Sequence, residues 1–431
     1  MTKELCVLVN DRELGSVHQA ANGRLRFVYD DAWRQSVDAF PLSLSMPLGA
    51  AEHSHTEIVN YLWGLLPDRA SSLAAIAAEY KVSVRSAFAL ISAVGEDLAG
   101  AVQIVPPNRV DKLKTREGIV QVSENRLAKF LDDLVADHGK LNINEDAGFF
   151  SLAGVQAKKA VYWVNGKWYE PRGRTPSTHI IKPPMPGLEG QVENEHFCLR
   201  LASALGLRTC ETSVEQIAGK PNIVATRYDR LRILKNKRAP LTQSGGRVVR
   251  VHQEDMCQAM GIDPAKKYQA EGGPGMQKIM ELLAGSGDPA TDRSRFMRAC
   301  AFNFVIVGPD AHGKNFSVLV DVGGRYRLAP LYDINSMLPY DLEKTRKLAM
   351  TVGGEGRWRS IGPTHWEKAA RLCGYPPADA LAHVRDIVAR APAAARQVLK
   401  QCRSAGLETP ALVRLVEQLD LRCKALAPDY N

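Results

Sequence analysis

Two stretches of the chain, GPDAHGKN at residues 308–315 and LAPLYD at residues 328–333, decide how the rest of the sequence is interpreted. The first places Asp310 five positions before Asn315, and the second places Asp333 eighteen positions after that asparagine. A carboxylate can accept a proton from a hydroxyl group, and carboxylate and amide oxygens are the hard ligands that Mg²⁺ prefers. The pattern therefore predicts a proton acceptor at Asp310 and metal ligands at Asn315 and Asp333.

The spacing of these three residues is the one that protein kinases use for phosphoryl transfer. That reaction needs an acceptor hydroxyl held in line and metal ions on the phosphates, with little covalent help from the protein. The alternative is an ordinary turn or helix cap, because D-x-x-x-x-N alone is a weak pattern. The flanks favour a site, since an apolar run at residues 302–307 stops at Gly308 and residues 316–320 have the pattern of a strand. The motif would then lie on a loop between buried elements, where catalytic groups are often mounted.

Length and composition indicate a globular protein of more than one domain. The 431 residues exceed the size at which one core keeps growing, and the hydrophobic (45%) and charged (24%) fractions are ordinary. We find neither a run of about 18 apolar residues nor a signal-peptide-like start, so we expect no membrane span and a cytoplasmic location. The eight cysteines form no C-x-x-C pair, which favours buried thiols over a zinc or redox site. The net charge of +9 is compatible with a nucleic-acid or acidic partner, and the basic cluster at residues 230–238 is either a solvated loop or a binding patch.

Hydrophobic periodicity divides the chain into three parts. Residues 1–107 combine short strands with alanine-rich helices, and the polar stretch at residues 108–123 is a plausible linker. Residues 124–250 carry five strand signals around one central helix, which is the composition of a kinase N-lobe, and residues 251–431 are mostly helical. The predicted fold class is α+β: a two-lobed protein-kinase-like fold with an added N-terminal α/β subdomain and a mostly helical C-lobe.

The second part also contains candidates for holding phosphate. The stretch SLAGVQ at residues 151–156 has small residues that let backbone amides approach phosphate, although a simple hairpin turn is the alternative. Lys182 ends the apolar strand THIIK at residues 178–182 and is a candidate phosphate-binding cation, although a solvated lysine is commoner at such a position. Glu193 or Glu195 on the following helix could orient this lysine, and the sequence does not distinguish them.

A further candidate contact with the nucleotide is the strand IVATRY at residues 223–228, which would cross to the second lobe. The backbone groups of its last three residues, Thr226, Arg227 and Tyr228, could hydrogen-bond the edge of adenine.

Taken together, these segments resemble the HipA family of toxin serine/threonine kinases. The similar stretches are GEDLAGA at 95–101, SLAGVQAK at 151–158, THIIK at 178–182, VENEHFCLRLASALG at 192–206, HQED at 252–255, Lys267-Tyr268, GGPG at 272–275, DAHGKNFS at 310–317 and LAPLYD at 328–333. One departure lies in the hinge, the segment at residues 226–230 that would lead to the second lobe. The family often has E-R-[FY]-D-R there, and this chain has Thr226 in place of the glutamate. Recognition of adenine would then fall to backbone groups.

The resemblance implies an ATP- and Mg²⁺-dependent serine/threonine protein kinase with Asp310 as catalytic base and Asn315 and Asp333 as metal ligands. It implies that the ATP-binding residues are Ser151, Leu152, Ala153, Gly154, Val155, Gln156, Lys182, Thr226, Arg227, Tyr228 and His312. It also implies autophosphorylation at Ser151, a helix-turn-helix antitoxin of the HipB type that binds operator DNA, and a protein target. In the best-known member of the family that target is glutamyl-tRNA synthetase.

Two other functions remain open at this point. One is a small-molecule phosphotransferase, because sugar and aminoglycoside kinases use the same Asp–Asn–Asp logic. The other is a non-enzymatic co-repressor that keeps the kinase fold as the partner of a DNA-binding protein. The presence of Lys182, Asp310, Asn315 and Asp333 argues against a kinase fold without activity.

Overall fold

The computed structural model describes residues 3–136, 156–340 and 347–430, which form a mixture of helices and sheets. The first elements in the chain are β1 (Lys3–Val9), β2 (Arg12–Gln19), β3 (Leu25–Tyr29), α1 (Asp31–Arg34), β4 (Glu52–His53), α2 (His55–Gly64), α3 (Ala70–Glu79), α4 (Ala87–Val94), β5 (Val102–Val105), α5 (Val110–Thr115), β6 (Gly118–Gln121) and α6 (Glu124–Ala136). They are followed by β7 (Lys159–Val164), β8 (Lys167–Arg172), β9 (His179–Lys182), α7 (Gln191–Ala204), β10 (Thr212–Ile217), β11 (Lys220–Thr226), β12 (Arg230–Leu234), β13 (Lys237–Ala239), β14 (Arg247–Arg250), β15 (Gln253–Asp255) and α8 (Met256–Ala259). The last are α9 (Met276–Leu283), α10 (Pro289–Val305), β16 (Ser317–Val320), β17 (Tyr326–Leu328), β18 (Lys347–Val352), β19 (Glu355–Arg357), α11 (Pro363–Leu372), α12 (Pro377–Ser404) and α13 (Pro410–Tyr430).

The chain divides into two compact units, each built from segments that are distant in sequence. The first unit comprises Met1–Pro183, Glu215–Ala265 and Val318–Tyr326. The second comprises Pro184–Val214, Lys266–Ser317 and Arg327–Asn431. The division into domains at residues 1–107, 124–250 and 251–431 stays a prediction, because compactness alone does not show which segments fold independently.

The N-terminal part of the first unit is an antiparallel sheet with strand order β4-β3-β2-β1-β5. One face of this sheet is buried against α2 and α4. Strand β3 alternates buried and more exposed residues, whereas residues 5–9 of β1 and all of β5 are buried. The fully buried side chains of this core include Leu14, Val17, Phe27, Ile58, Leu62, Leu90 and Ile91. The strands and helices expected for this region from periodicity are therefore confirmed.

A second sheet, with strand order β10-β11-β9-β7-β8-β6, carries the candidate phosphate-binding lysine. Its strand β9 lies between β7 and β11, with Lys182 directly opposite Ile223. Helix α6 covers one face of this sheet, where Leu127 and Phe130 belong to the same buried cluster as Ile181. Strand β9 is paired on both sides up to Ile181, and Lys182 itself is paired on the β11 side.

The prediction of a linker at residues 108–123 is wrong. This stretch contains α5 and β6, and β6 pairs with β8 at the edge of the second sheet, with Ile119 opposite Pro171. Sequence patterns missed β8 because KWYEPR has no regular alternation of apolar and polar residues and contains a proline. Strand β8 lies between β7 and β6, and Pro171 falls beyond Tyr169, the last residue of β8 that pairs with β7. The polar composition of the stretch reflects an exposed edge rather than a flexible connection.

A cluster of buried charges stabilises the turn between β11 and β12. The guanidinium of Arg227 lies 2.8 Å from Asp229, and that of Arg230 lies 3.1 Å from Asp97. Arg250 lies 3.4 Å from the same carboxylate of Asp97. Burial alone would raise the pKa of Asp97, but the three arginines hold it below its usual value. Removing one partner of such a cluster typically costs about 3–5 kcal/mol, because it leaves a buried charge uncompensated.

The second unit is mostly helical, as the sequence predicts, which confirms the α+β fold class. Helix α12 packs against α7, α10, α11 and α13. Helix α10 begins at Pro289, and the side chain of Asp288 accepts a hydrogen bond from the N–H of Thr291 at 3.2 Å. Within the described ranges, no helix is long and apolar enough to cross a membrane.

Candidate active site

The loop that carries Asp310 begins at the end of α10, and a glycine makes its first turn possible. Val307 has a φ of 52°, which is in the left-handed region and ends the helix. The N–H of Gly308 donates to the carbonyl of Asn303 at 2.8 Å, and a Cβ on Gly308 would lie only 2.6 Å from Oδ1 of Asn303. Glycine is therefore the residue that fits there. The loop leaves the helix sharply and places Asp310 at the surface, with its side chain 64% exposed.

The loop is closed by hydrogen bonds between Asp310 and Asn315. The side-chain nitrogen Nδ2 of Asn315 donates to the backbone carbonyl of Asp310 at 2.7 Å. The backbone N–H of Asn315 donates to the carbonyl of His312 at 2.9 Å, and the N–H of His312 donates to the carbonyl of Asp310 at 2.8 Å. Because Nδ2 of Asn315 bonds the carbonyl of Asp310, the other atom of the side-chain amide, Oδ1, points away from that carbonyl. That oxygen is the atom expected to hold metal.

The third motif residue, Asp333, has an unusual backbone conformation. Its φ is 57°, in the left-handed region, which costs free energy for a residue with a side chain. Such outliers occur preferentially at functional sites, where the surrounding structure enforces them. The preceding Leu331 is held by two backbone hydrogen bonds of 2.8 Å, to the carbonyl of Arg208 and from the N–H of Cys210.

The structure brings Asp310, Asn315 and Asp333 together in the second unit. All three line one pocket, together with Asn303, Gly308, Ala311, Phe316, Leu331, Tyr332, Ile334 and Asn335. The convergence of two distant motif stretches on one pocket is the geometry that the sequence spacing led us to expect. The chemical role of each residue stays a prediction.

Behind the pocket, a buried asparagine that the sequence analysis did not single out connects α7 to the segment after Asp333. Nδ2 of Asn194 donates to the carbonyl of Ser336 at 2.7 Å, and its Oδ1 accepts from the N–H of Ser336 at 3.1 Å. The hydroxyl of Ser336 donates to the carbonyl of Ile306 at 2.5 Å, and the N–H of Met337 donates to the carbonyl of Val307 at 3.0 Å. These contacts fix the segment that follows Asp333 against the end of α10.

A tyrosine from an earlier loop contacts Asp310. The hydroxyl of Tyr268 donates to Oδ1 of Asp310 at 2.6 Å, and Nε2 of His312 lies 3.8 Å from the same oxygen. The rings of Tyr268 and His312 meet edge to face, with centroids 4.8 Å apart. The sequence contained a signal, since Lys267-Tyr268 and GGPG at residues 272–275 are similar to family stretches, but nothing in it linked this tyrosine to Asp310.

The candidate phosphate-binding residues belong to the first unit. Lys182 is only 6% exposed at the end of β9. Nε2 of Gln156 donates to the carbonyl of Pro183 at 3.0 Å, which ties the end of the candidate loop to this strand. The other five candidates in the loop, Ser151, Leu152, Ala153, Gly154 and Val155, lie outside the described residues.

The hinge residues are held by contacts with the rest of the first unit. Thr226 pairs with His179 across the sheet, and the N–H of Arg227 donates to the carbonyl of Thr178 at 3.0 Å. The guanidinium of Arg227 belongs to the buried charge cluster, where, despite burial, Asp229 and Asp97 raise its pKa. The hydroxyl of Tyr228 donates to Oε1 of Gln253 at 2.5 Å. An adenine contact at this hinge would therefore use backbone atoms rather than the side chain of Arg227.

The two glutamates that could orient Lys182 both lie on α7 in the second unit. Glu193 is 7% exposed and Glu195 is 1% exposed. Burial raises the pKa of Glu193. Nε2 of Gln191 lies 3.5 Å from Oε2 of Glu195, one turn further along the helix. The pairing of either glutamate with the lysine stays a prediction.

Two family models match the chain. The model described as "HipA N-terminal domain" matches residues 5–105, and the model described as "HipA-like C-terminal domain" matches residues 150–395. The second match alone covers more than half of the 431 residues. The resemblance inferred from the motifs is confirmed.

Named proteins with similar sequences or structures agree with the family match. The chain is 35% identical over 368 residues to "Putative kinase Y4mE" of Sinorhizobium fredii, covering 84% of each protein. It is 28% identical over 344 residues to "Serine/threonine-protein kinase toxin HipA" of Shewanella oneidensis, covering 76% of this chain and 73% of that protein. A solved structure of HipA from Shewanella oneidensis with HipB and its operator DNA matches with a TM-score of 0.84 at 24% identity, over 99% of this chain and 98% of that chain. The last match confirms the predicted kinase-like fold.

Proposed function

Because the chain belongs to the HipA-like family of serine/threonine kinase toxins, we propose that it transfers the γ-phosphate of ATP to a hydroxyl group of a protein. The observation that carries the proposal is the single pocket lined by Asp310, Asn315 and Asp333. A proton acceptor and two hard-oxygen ligands in one pocket are the groups that phosphoryl transfer requires.

The three motif residues in the pocket have two tasks in this proposal. The exposed carboxylate of Asp310 accepts the proton of the acceptor hydroxyl. Asn315 and Asp333 hold Mg²⁺, and the donor set fits this ion because both side chains offer hard oxygen atoms and the hydrogen bond to the Asp310 carbonyl uses Nδ2 rather than Oδ1 of Asn315. When bound, Mg²⁺ neutralises charge on the phosphates of ATP. The strained backbone of Asp333 supports a functional rather than a structural role for that carboxylate.

The ATP-binding assignments rest on the family and on positions in the first unit. Lys182, fixed at the end of a central strand, would hold phosphate. The loop from Ser151 to Gln156 would cover the phosphates, and backbone groups at residues 226–228 would bind adenine. His312 is 3% exposed beside Asp310, and we propose that it contacts the nucleotide from the catalytic loop.

We propose further that this kinase is the toxin of a toxin–antitoxin pair in the cytoplasm. Its partner would be a helix-turn-helix antitoxin of the HipB type, through which the complex binds operator DNA. The support is the solved HipA of Shewanella oneidensis, whose complex contains HipB and operator DNA. The net charge of +9 adds a non-specific attraction to DNA that salt should screen.

The protein acceptors are proposed on the family resemblance. Glutamyl-tRNA synthetase is the first candidate target. Ser151 is the candidate autophosphorylation site, and a phosphate there would add about −1.5 to −2 charges to the loop that is proposed to cover the ATP phosphates. That charge should disfavour ATP, so autophosphorylation would inactivate the enzyme.

The test is to incubate the purified protein with γ-labelled ATP and Mg²⁺, once with a cell extract and once with a panel of sugars and aminoglycosides. The proposal expects label on protein, including the kinase itself. Label confined to a metabolite would identify a small-molecule phosphotransferase instead. Failure to bind ATP in the presence of Mg²⁺, combined with operator binding in a complex with the antitoxin, would identify a non-enzymatic co-repressor.

A further inference from the structure

We propose that Tyr268 is a positioning residue for the proton acceptor Asp310, a role that rests on the proposed kinase function. The hydroxyl of Tyr268 donates a hydrogen bond of 2.6 Å to Oδ1 of Asp310. A hydrogen bond to a carboxylate is short and directional, and it fixes the orientation of the acceptor as well as stabilising its charge. The exposed side chain of Asp310 would otherwise be free to rotate in solvent.

The geometry divides the two carboxylate oxygens of Asp310 between two tasks. Two polar groups, the hydroxyl of Tyr268 at 2.6 Å and Nε2 of His312 at 3.8 Å, approach Oδ1. In the described part of the chain, no hydrogen bond reaches Oδ2. We therefore assign Oδ2 as the oxygen that takes the proton of the acceptor hydroxyl. The hydroxyl oxygen then bonds to the γ-phosphorus, the bond from that phosphorus to the β-phosphate oxygen breaks, and ADP leaves.

Tyr268 is itself held in place on several sides. Its ring meets the ring of His312 edge to face, and Nζ of Lys267 lies 5.5 Å from its centroid. Its backbone carbonyl accepts hydrogen bonds of 3.0 Å from the N–H groups of Glu271 and Gly273. A side chain restrained in this way can fix the carboxylate that it contacts.

The glycine-rich stretch after Tyr268 explains how the tyrosine loop is joined to the catalytic loop. A Cβ on Gly273 would lie 2.1 Å from the carbonyl oxygen of Lys266, so a side chain is excluded there. This close approach shapes the turn in which the carbonyl of Lys267 accepts a hydrogen bond of 3.1 Å from the N–H of Gly313. Gly313 lies three residues after Asp310, so the backbones on either side of the Tyr268–Asp310 contact are already tied together. The contact is thus built into the second unit.

The experiment compares Tyr268→Phe with the wild-type chain in steady-state phosphorylation of a protein acceptor. The variant keeps the ring on His312 and removes only the hydroxyl. We expect kcat to fall about tenfold, which corresponds to about 1.4 kcal/mol, with KM for ATP within twofold and an unchanged melting temperature. The matched control is Tyr375→Phe, which removes a hydroxyl that contacts His383 at 3.0 Å elsewhere in the second unit and should leave kcat unchanged.

Three outcomes are distinguishable. An active wild type with a tenfold slower Tyr268→Phe variant supports the assignment. An active wild type whose variant keeps or exceeds the wild-type kcat overturns it, because the hydroxyl would then be idle or would obstruct the proton acceptor. A wild-type protein that transfers no phosphate to any protein refutes the proposed function, and the positioning role fails with it.

Discussion

Replacing Asn194 by alanine should loosen the segment that follows Asp333 and slow phosphoryl transfer, although Asn194 is assigned no contact with substrate. The asparagine is fully buried and makes two hydrogen bonds, of 2.7 Å and 3.1 Å, to the backbone of Ser336. Its removal leaves one buried carbonyl and one buried N–H without this partner. Each unsatisfied group costs about 1–3 kcal/mol, so we expect a local destabilisation of about 3 kcal/mol.

Hydrogen exchange measures this effect where it occurs. A loss of about 3 kcal/mol corresponds to roughly 100-fold faster exchange of the amides at residues 334–338, provided that they exchange through local opening. The kcat should fall in parallel, because Asp333 directly precedes the loosened segment. The control is Asn22→Ala, which removes an exposed hydrogen bond from Arg24 in the first unit. Unchanged protection at residues 334–338 in the Asn194 variant would refute the role that we give to this asparagine.

Three further predictions concern metal, pH and the phosphate loop. Asn315→Ala and Asp333→Ala should both lose activity, and raised Mg²⁺ should rescue the Asn315 variant more, because a carboxylate is the stronger ligand; an unaltered Mg²⁺ dependence of both would contradict this. Burial raises the pKa of Glu254 from 4.5 to about 8. Between pH 4.5 and pH 8 the carboxyl group is therefore protonated in the folded state and ionised in the unfolded state. The contribution of this group to stability is greatest below pH 4.5 and falls as the pH rises to about 8. Urea titrations across that range should show the decline in the wild type and a flatter profile in Glu254→Gln, whereas equal profiles would exclude the effect. Ser151→Asp should weaken ATP binding relative to Ser151→Ala in calorimetry, and equal affinities would end the proposal of an inactivating phosphate.

The sequence was sufficient where function depends on contiguous motifs. The turn after Val307, the loop from Asp310 to Asn315 and the end of the strand at Lys182 all follow from local patterns of apolar runs, glycine and proline. These patterns place each site residue on a turn, loop or strand end, and the family resemblance implies the chemical role of each residue.

The sequence was insufficient where a side chain acts across a long separation. Tyr268 contacts Asp310 across 42 positions, and Asn194 contacts Ser336 across 142 positions. No periodicity encodes such pairs, because they arise only when distant segments pack in the second unit. Strands β6 and β8 were missed for a different reason, since neither the edge strand β6 nor its neighbour β8 shows a regular alternation of apolar and polar residues. The hinge sequence likewise did not indicate that the guanidinium of Arg227 is enclosed by Asp97 and Asp229.

The measurement that most directly tests the central claim is phosphoryl transfer by Asp310→Asn. An amide cannot accept the proton of the acceptor hydroxyl, so incorporation of label from γ-labelled ATP into protein should be abolished. ATP binding with Mg²⁺ should change little, because Asn315 and Asp333 remain. The control Asp111→Asn, at an exposed aspartate on α5, should keep full activity. Near-normal turnover by the purified Asp310→Asn protein would contradict the account.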